Sequence, residues 1–159
     1  GRTFGEAFVK SQLGAGTILP KSGKVFVSVK NNDKPRAVEV AQGLVKLGFE
    51  LLATKGTAAA FNAAGVPCTV VNKVTEGRPH IVDMIKNQEV ALVINTVEER
   101  RNAIADSRQI RTSALLARVT TFTTIFGAEA AVEGMRHMDE LDVISVQEMH
   151  AQLAAQAAG

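Results

Sequence analysis

Cysteine occurs once in this chain of 159 residues, at Cys68, and tryptophan and tyrosine do not occur at all. A lone cysteine excludes an internal disulfide and fits a reducing cytoplasm. Without Trp or Tyr, and with no interleaving of basic and aromatic residues, the chain offers no platform for stacking the bases of a nucleic acid. Charge of one sign is also scarce. Eighteen Lys and Arg against 16 Asp and Glu leave a formal net charge of +2, too near balance to argue for a nucleic-acid partner. No apolar run approaches the ~18 residues of a membrane span, and no basic-then-apolar signal opens the chain. His80, His137 and His150 show no metal-like spacing with each other or with Cys68. Neither nucleic acid, membrane nor metal is therefore expected.

What remains is an ordinary globular composition, 46% hydrophobic and 21% charged, in a length sufficient for one domain with a proper core. The chain begins at Gly1 rather than Met and enters an amphipathic segment at once, as expected of a piece of a longer polypeptide. Its periodicity predicts a first helix over 3–13, followed by a Gly- and Pro-containing linker over 14–23. Residues 1–23 are thus a lead-in, and 24–159 the main unit. Strand-like runs follow at 25–29, 50–53, 68–71, 90–95 and 118–121. Helical patterns alternate with them at 35–47, 57–64, 79–86, 107–117 and 124–136. Gly48 and Gly65 sit where helix C-caps belong, and Ser145-Val-Gln-Glu148 reads as a capping box opening a last helix with an Ala-rich tail. Such alternation predicts an α/β fold: a three-layer, doubly wound sheet of about five parallel strands.

In that architecture ligands bind beyond the carboxyl ends of the strands. The stretch Glu50-Leu-Leu-Ala-Thr54-Lys55-Gly56-Thr57 reads as a buried strand running into a helix N-terminus. Hydroxyls and free N–H groups there favour a phosphate. Gly56 would let an anion approach the backbone, and Thr57 can cap the helix while donating its hydroxyl; the alternative is a plain strand-to-helix turn with a Thr N-cap. Lys34, Lys55 and Lys73 each follow a predicted strand and could converge on one rim. Ser28, Asn72, Asn95 and Thr96 are polar steps at strand ends, and an Asn can both donate and accept. Glu76-Gly-Arg78-Pro-His80 offers an Arg for a phosphate and a His as acid or base, or else a Glu76–Arg78 pair ahead of a helix opened by Pro79, with His80 partly exposed. Cys68 is expected in a buried strand. Arg100, Arg101, Arg108, Arg111 and Arg118 read mostly as helix-face residues, and Thr120-Thr-Phe-Thr-Thr124 as either pocket lining or a β-branched strand.

The chain resembles the C-terminal regulatory domain of the large subunit of carbamoyl-phosphate synthase, a methylglyoxal-synthase-like fold. The resemblance runs through Gly1-Arg-Thr-Phe-Gly-Glu-Ala-Phe8, Ser28 with Asp33-Lys34, Gly48-Phe-Glu-Leu51, Ala53-Thr-Lys-Gly-Thr57, Val71-Asn-Lys-Val-Thr-Glu-Gly-Arg-Pro-His-Ile81, Ile94-Asn-Thr96, Asp106-Ser-Arg-Gln-Ile-Arg111 and Val143-Ile-Ser-Val-Gln-Glu-Met-His-Ala-Gln152. The segment 71–81 and the run Ile144-Ser-Val-Gln-Glu-Met-His150 are its most specific blocks. The resemblance implies a domain that does no chemistry itself and binds UMP as inhibitor and IMP as activator. Its implied effector contacts are Ser28, Lys34, Thr54, Gly56, Thr57, Lys73, Val74, Ile81, Asn95 and Thr96. It implies no cofactor in the domain. In the parent enzyme it implies ATP with magnesium or manganese, preceding synthetase domains on the same chain and a glutaminase small subunit, in service of pyrimidine and arginine synthesis. Members that respond to ornithine carry Tyr-Asp-Thr where this chain has Thr121-Phe122-Thr123. The missing carboxylate removes a partner for the ornithine ammonium.

Two enzymes of similar fold are the alternatives. Methylglyoxal synthase acts on dihydroxyacetone phosphate with an Asp base from a Gly-Gly-Asp loop. The equivalent stretch here, Glu76 to His80, offers Arg78, which cannot take a carbon-bound proton. The cyclohydrolase domain of purine synthesis needs a Gly-Arg-Val-Lys-Thr-Leu-His-Pro segment that this chain lacks.

Overall fold

The computed structural model describes residues 1, 3–97, 101–141 and 144–157, with side chains for these except 101, 102, 140, 156 and 157. Five strands alternate with helices in the expected order. They are β1 (Lys24–Ser28), β2 (Glu50–Ala53), β3 (Thr69–Val70), β4 (Leu92–Asn95) and β5 (Thr120–Phe122). The helices are α1 (Phe4–Gly14), α2 (Lys34–Lys46), α3 (Lys55–Ala63), α4 (Ile81–Lys86), α5 (Arg101–Leu116), α6 (Ile125–Met135) and α7 (Val146–Ala157).

All strand pairs are parallel, in the order β3-β2-β1-β4-β5. Side chains of a strand alternate between faces, and the interior strands show it residue by residue. Val25 and Val27 of β1, Leu51 and Ala53 of β2, and Leu92 and Ile94 of β4 pack with α1, α2, α3 and α6. Phe26, Leu52 and Val93, on the opposite face, pack with Ile81, Val82 and Ile85 of α4 and Ile110 and Ala114 of α5. Each fully buried Phe, Leu or Ile here contributes about 1.5–3 kcal/mol. The result is a three-layer α/β fold.

The connections explain which helices share a face. From β1 outward through β2 to β3 the chain crosses by α2 and α3. Towards β4 and β5 it crosses by α4 and α5 on the other side. Parallel crossovers keep one hand, so reversing direction along the sheet forces the helices to change face. The reversal falls between β1 and β4, which leaves a crevice beyond their carboxyl ends.

Gly48 (φ 89°) and Gly65 (φ 72°) end α2 and α3 in the left-handed conformation, as the sequence predicts. α1 lies along α6, where glycines bring the helices close. A Cβ on Gly134 would collide with Val9 Cγ2, and one on Gly5 would lie 2.9 Å from Glu133 Cγ. The Ser145 capping box is present: Ser145 N donates to Glu148 Oε2 at 2.7 Å and Glu148 N to Ser145 Oγ at 3.1 Å.

Several local expectations need correction. The third strand is Thr69–Val70 rather than 68–71, because it is an edge paired only with β2. Cys68 precedes it, half-buried against the core, and burial pushes its thiol pKa up. α4 begins at Ile81, not at Pro79, which follows a cis peptide. His80 is its cap: Asp83 N donates to His80 Nδ1 at 3.4 Å and His80 N to Asp83 Oδ2 at 3.3 Å. His80 is accordingly buried, at 7% exposure, rather than partly exposed. Arg78 pairs with Asp83 at 3.6 Å, not with Glu76, which accepts from Lys73 N at 2.8 Å. α5 starts at Arg101, a turn and a half before the expected 107. Arg100 of the basic cluster, Val143 of the terminal block and the end of the Ala-rich tail lie outside the described residues.

Candidate functional site

β1 and β4 run side by side with Ser28 opposite Asn95, so the two residues stand as neighbours at the reversal of strand order. β2 ends one strand away at Ala53, and Thr54 then caps α3. These ends are knitted by short hydrogen bonds. Thr96 N donates to Ser28 O at 3.0 Å, and Lys30 N to Thr96 Oγ1 at 3.0 Å. Val29 N donates to Thr57 Oγ1 at 3.2 Å. Thr54 Oγ1 lies 3.3 Å from both Ser28 Oγ and Thr57 Oγ1, which makes a compact hydroxyl cluster.

That cluster floors a cleft of about 180 Å³. Of the residues singled out from the sequence, Ser28, Lys34, Thr54, Gly56, Thr57, Lys73, Asn95 and Thr96 line it. Val74 and Ile81 do not. Ile81 is fully buried among α4 and α5, and Val74 packs beside it. Lys55 is exposed and lines no part of the cleft. Asn72 is exposed on the edge, bridged to His80. Thr120 to Thr124 also stay out. Thr121 Oγ1 bonds Val119 O at 3.2 Å, and Thr124 caps α6 by accepting from Gly127 N at 3.1 Å.

Thr57 is not the helix cap. Thr54 holds that position with extended backbone, and its hydroxyl makes no capping bond. The first-turn N–H groups of α3 are therefore left without an intrahelical acceptor or a side-chain cap. Gly56 adds no side chain above them. The Lys34 ammonium reaches over from α2 to within 3.5 Å of where a Gly56 Cβ would stand. Among the described residues, no carboxylate forms an ion pair with Lys34 or Lys73.

Among the described lining residues, Lys30, Lys34 and Lys73 face one carboxylate, that of Asp106. Ammonium groups, helix N–H groups and hydroxyls converging on one concave spot are the chemistry that suits an anion. Asp106 and Ser107 of α5 enter the lining without any strand-end signal in the sequence. Asp106 is buried, at 8% exposure, and accepts from Thr75 Oγ1 at 3.3 Å. Among the described residues, no group of His, Cys, Asp and Glu is placed to hold a metal ion. None of their helices is long and apolar enough to cross a membrane.

The profile of the MGS-like domain matches residues 36–123, more than half of the chain, and the chain belongs to that family. It is similar to part of the carbamoyl phosphate synthase large chain of several bacteria. It is 63% identical over 153 residues to that of Ralstonia nicotianae, covering 96% of this chain and 14% of the relative. Against Pseudomonas aeruginosa it is 53% identical over 155 residues, covering 98% and 14%. Against serogroup A Neisseria meningitidis it is 48% identical over 153 residues, covering 96% and 14%. The chain thus spans about one-seventh of the length of the curated relatives it matches.

Proposed function

We propose that this chain is the C-terminal effector-binding domain of a carbamoyl-phosphate synthase large chain, and that its cleft holds the phosphate of a nucleoside monophosphate. The carrying observation is the Lys34 ammonium poised over Gly56 and the uncapped start of α3, beside the Ser28–Thr54–Thr57 hydroxyls. UMP and IMP are the proposed ligands, one inhibiting and one activating carbamoyl phosphate synthesis. Asp106 is placed to accept from ribose hydroxyls, which carry donors a carboxylate can use. The remaining contacts proposed from the sequence are Lys73, Asn95 and Thr96, with Val74 and Ile81 supporting from behind.

In this reading the domain performs no chemistry. It biases the synthetase domains, which use ATP with magnesium or manganese and ammonia from a glutaminase small subunit. Inhibitor and activator must then differ in affinity for two arrangements of the parent enzyme, by a coupling of about 1–3 kcal/mol. Cytoplasmic location belongs to the same proposal.

The lyase alternative has one observation in its favour: the buried Asp106 carboxylate on the cleft wall. Calorimetric titration with UMP, IMP and dihydroxyacetone phosphate, with methylglyoxal assayed in parallel, separates the two. Saturable nucleotide binding without methylglyoxal is the expected result. Turnover of the triose phosphate would make the protein an enzyme.

A further inference from the structure

Arg111 and Asn95 make a two-point contact that decides which end of a buried carboxamide faces the cleft. Arg111 Nε donates to Asn95 Oδ1 at 3.2 Å, and a terminal guanidinium nitrogen donates to Asn95 O at 2.9 Å. A guanidinium has donors only, so the amide atom facing Nε must be oxygen, because the flipped amide would set donor against donor. The Nδ2 group therefore faces away from Arg111. It makes no hydrogen bond among the described residues, yet none of their fully buried side-chain nitrogens or oxygens lacks a partner. Asn95 is 99% buried, at 1% exposure, and lines the cleft. Its remaining exposure thus belongs to Nδ2, which opens into the cleft.

We infer that Arg111 is a positioning residue that locks Asn95 as a pure donor, so that the cleft selects a nucleobase carrying a carbonyl there and rejects one carrying an amino group. This rests on the nucleotide reading above. The placement fits a base rather than a phosphate. Asn95 stands opposite Ser28, and strands lie about 4.8 Å apart, which puts it roughly two strand spacings from Thr54 and the start of α3. Arg111 itself lies outside the cleft lining and acts only through Asn95.

The test is calorimetry on the 159-residue chain with the pairs UMP/CMP and IMP/AMP, and with UMP/dUMP as a ribose control. The wild type should favour the keto member of at least one base pair by about tenfold, the usual scale for opposing a buried donor with another donor. In Arg111→Met the amide is free to turn, and the ratio should fall to within about threefold. Arg111→Lys still offers only donors and should retain the preference. Asn95→Asp keeps the Arg111 partner but presents an acceptor, and should abolish or invert it. Should Arg111→Met fail to fold, the aspartate variant carries the test alone. A wild type that binds keto and amino nucleotides alike, or an Arg111→Met variant that keeps the full ratio, overturns the inference while leaving phosphate binding intact. Discrimination only between UMP and dUMP would place a hydroxyl at Asn95, which either amide orientation serves, and would also overturn it. If no nucleotide and no inorganic phosphate binds, the reading beneath it falls as well.

Discussion

The Lys34 ammonium lies 3.5 Å from the point a Cβ on Gly56 would occupy, although the two residues open different helices, one after β1 and one after β2. Positive charge is therefore held above the bare start of α3 by a side chain with no ion-pair partner among the described residues. Four predictions follow from this and from features elsewhere in the fold.

Lys34→Ala should raise the dissociation constant of every phosphate ligand by about tenfold to a hundredfold, since a charge-assisted hydrogen bond is removed. The thermal midpoint should stay within about 2 °C, because the side chain is only half-buried and supports no packing. Calorimetry and a melting curve on the same sample check both parts. Unchanged UMP affinity would sink the site assignment.

Gly56→Ala should separate stability from binding. A methyl there meets Lys34 Nζ at ordinary van der Waals distance and improves helix propensity by roughly 0.5–1 kcal/mol. It also stands where an anion must approach the α3 amides. The variant should melt at the same or a higher temperature and bind nucleotide more weakly. A variant that binds as well as wild type would show that the phosphate sits elsewhere.

Gly134→Ala tests the helix pair remote from the cleft. The new methyl would collide with Val9 Cγ2 and come within 3.3 Å of Gly5 O. Overpacking of this kind costs about 1–3 kcal/mol. Denaturant unfolding should show that loss, with UMP affinity preserved, because no lining residue comes from α1 or α6.

Acid should loosen the start of α7. The Ser145 backbone N–H, and then its hydroxyl, hold the Glu148 carboxyl below its usual range. A carboxyl depressed in the folded state stabilises at pH above its unfolded value and loses that contribution as pH falls through the folded one. Amide exchange at 146–149 should therefore accelerate, beyond the intrinsic trend, on acidification below the normal Glu range. Glu148→Gln should remove the pH dependence. Equal pH profiles in the two proteins would refute the role of the cap.

Much of this structure was legible from periodicity and punctuation. The alternation of strands and helices, Gly48 and Gly65 as helix ends and the Ser145 box all follow from local rules, and they appear where those rules put them. The rim residues were legible because strand ends carry the polar steps that interrupt an apolar run. What escaped was tertiary. Thr57 looks like a cap by composition, but its hydroxyl is taken by Val29 N, and Thr54 assumes the cap position. The start of α5, Arg101-Asn-Ala-Ile-Ala-Asp106, sets a short apolar run between polar residues rather than a helical period, so the pattern begins only near Ser107. Asp106, Ser107 and the Arg111–Asn95 contact reach the cleft from a helix face, and only the packing of α5 shows which face that is. Cys68 looked like a core strand residue, yet an edge with one neighbour sustains only Thr69 and Val70.

The reversal of strand order gives the sheet a seam. β1 and β4 meet there in four residue pairs, and no chain connection passes directly between them. β2 and β3 belong to one wing, β4 and β5 to the other. A molecule seated across Thr54, Ser28 and Asn95 would touch both wings at once and act as a rivet over that join. Its grip would be felt as resistance to the wings shearing apart, in hydrogen exchange along β1 and β4 or in the force needed to part them.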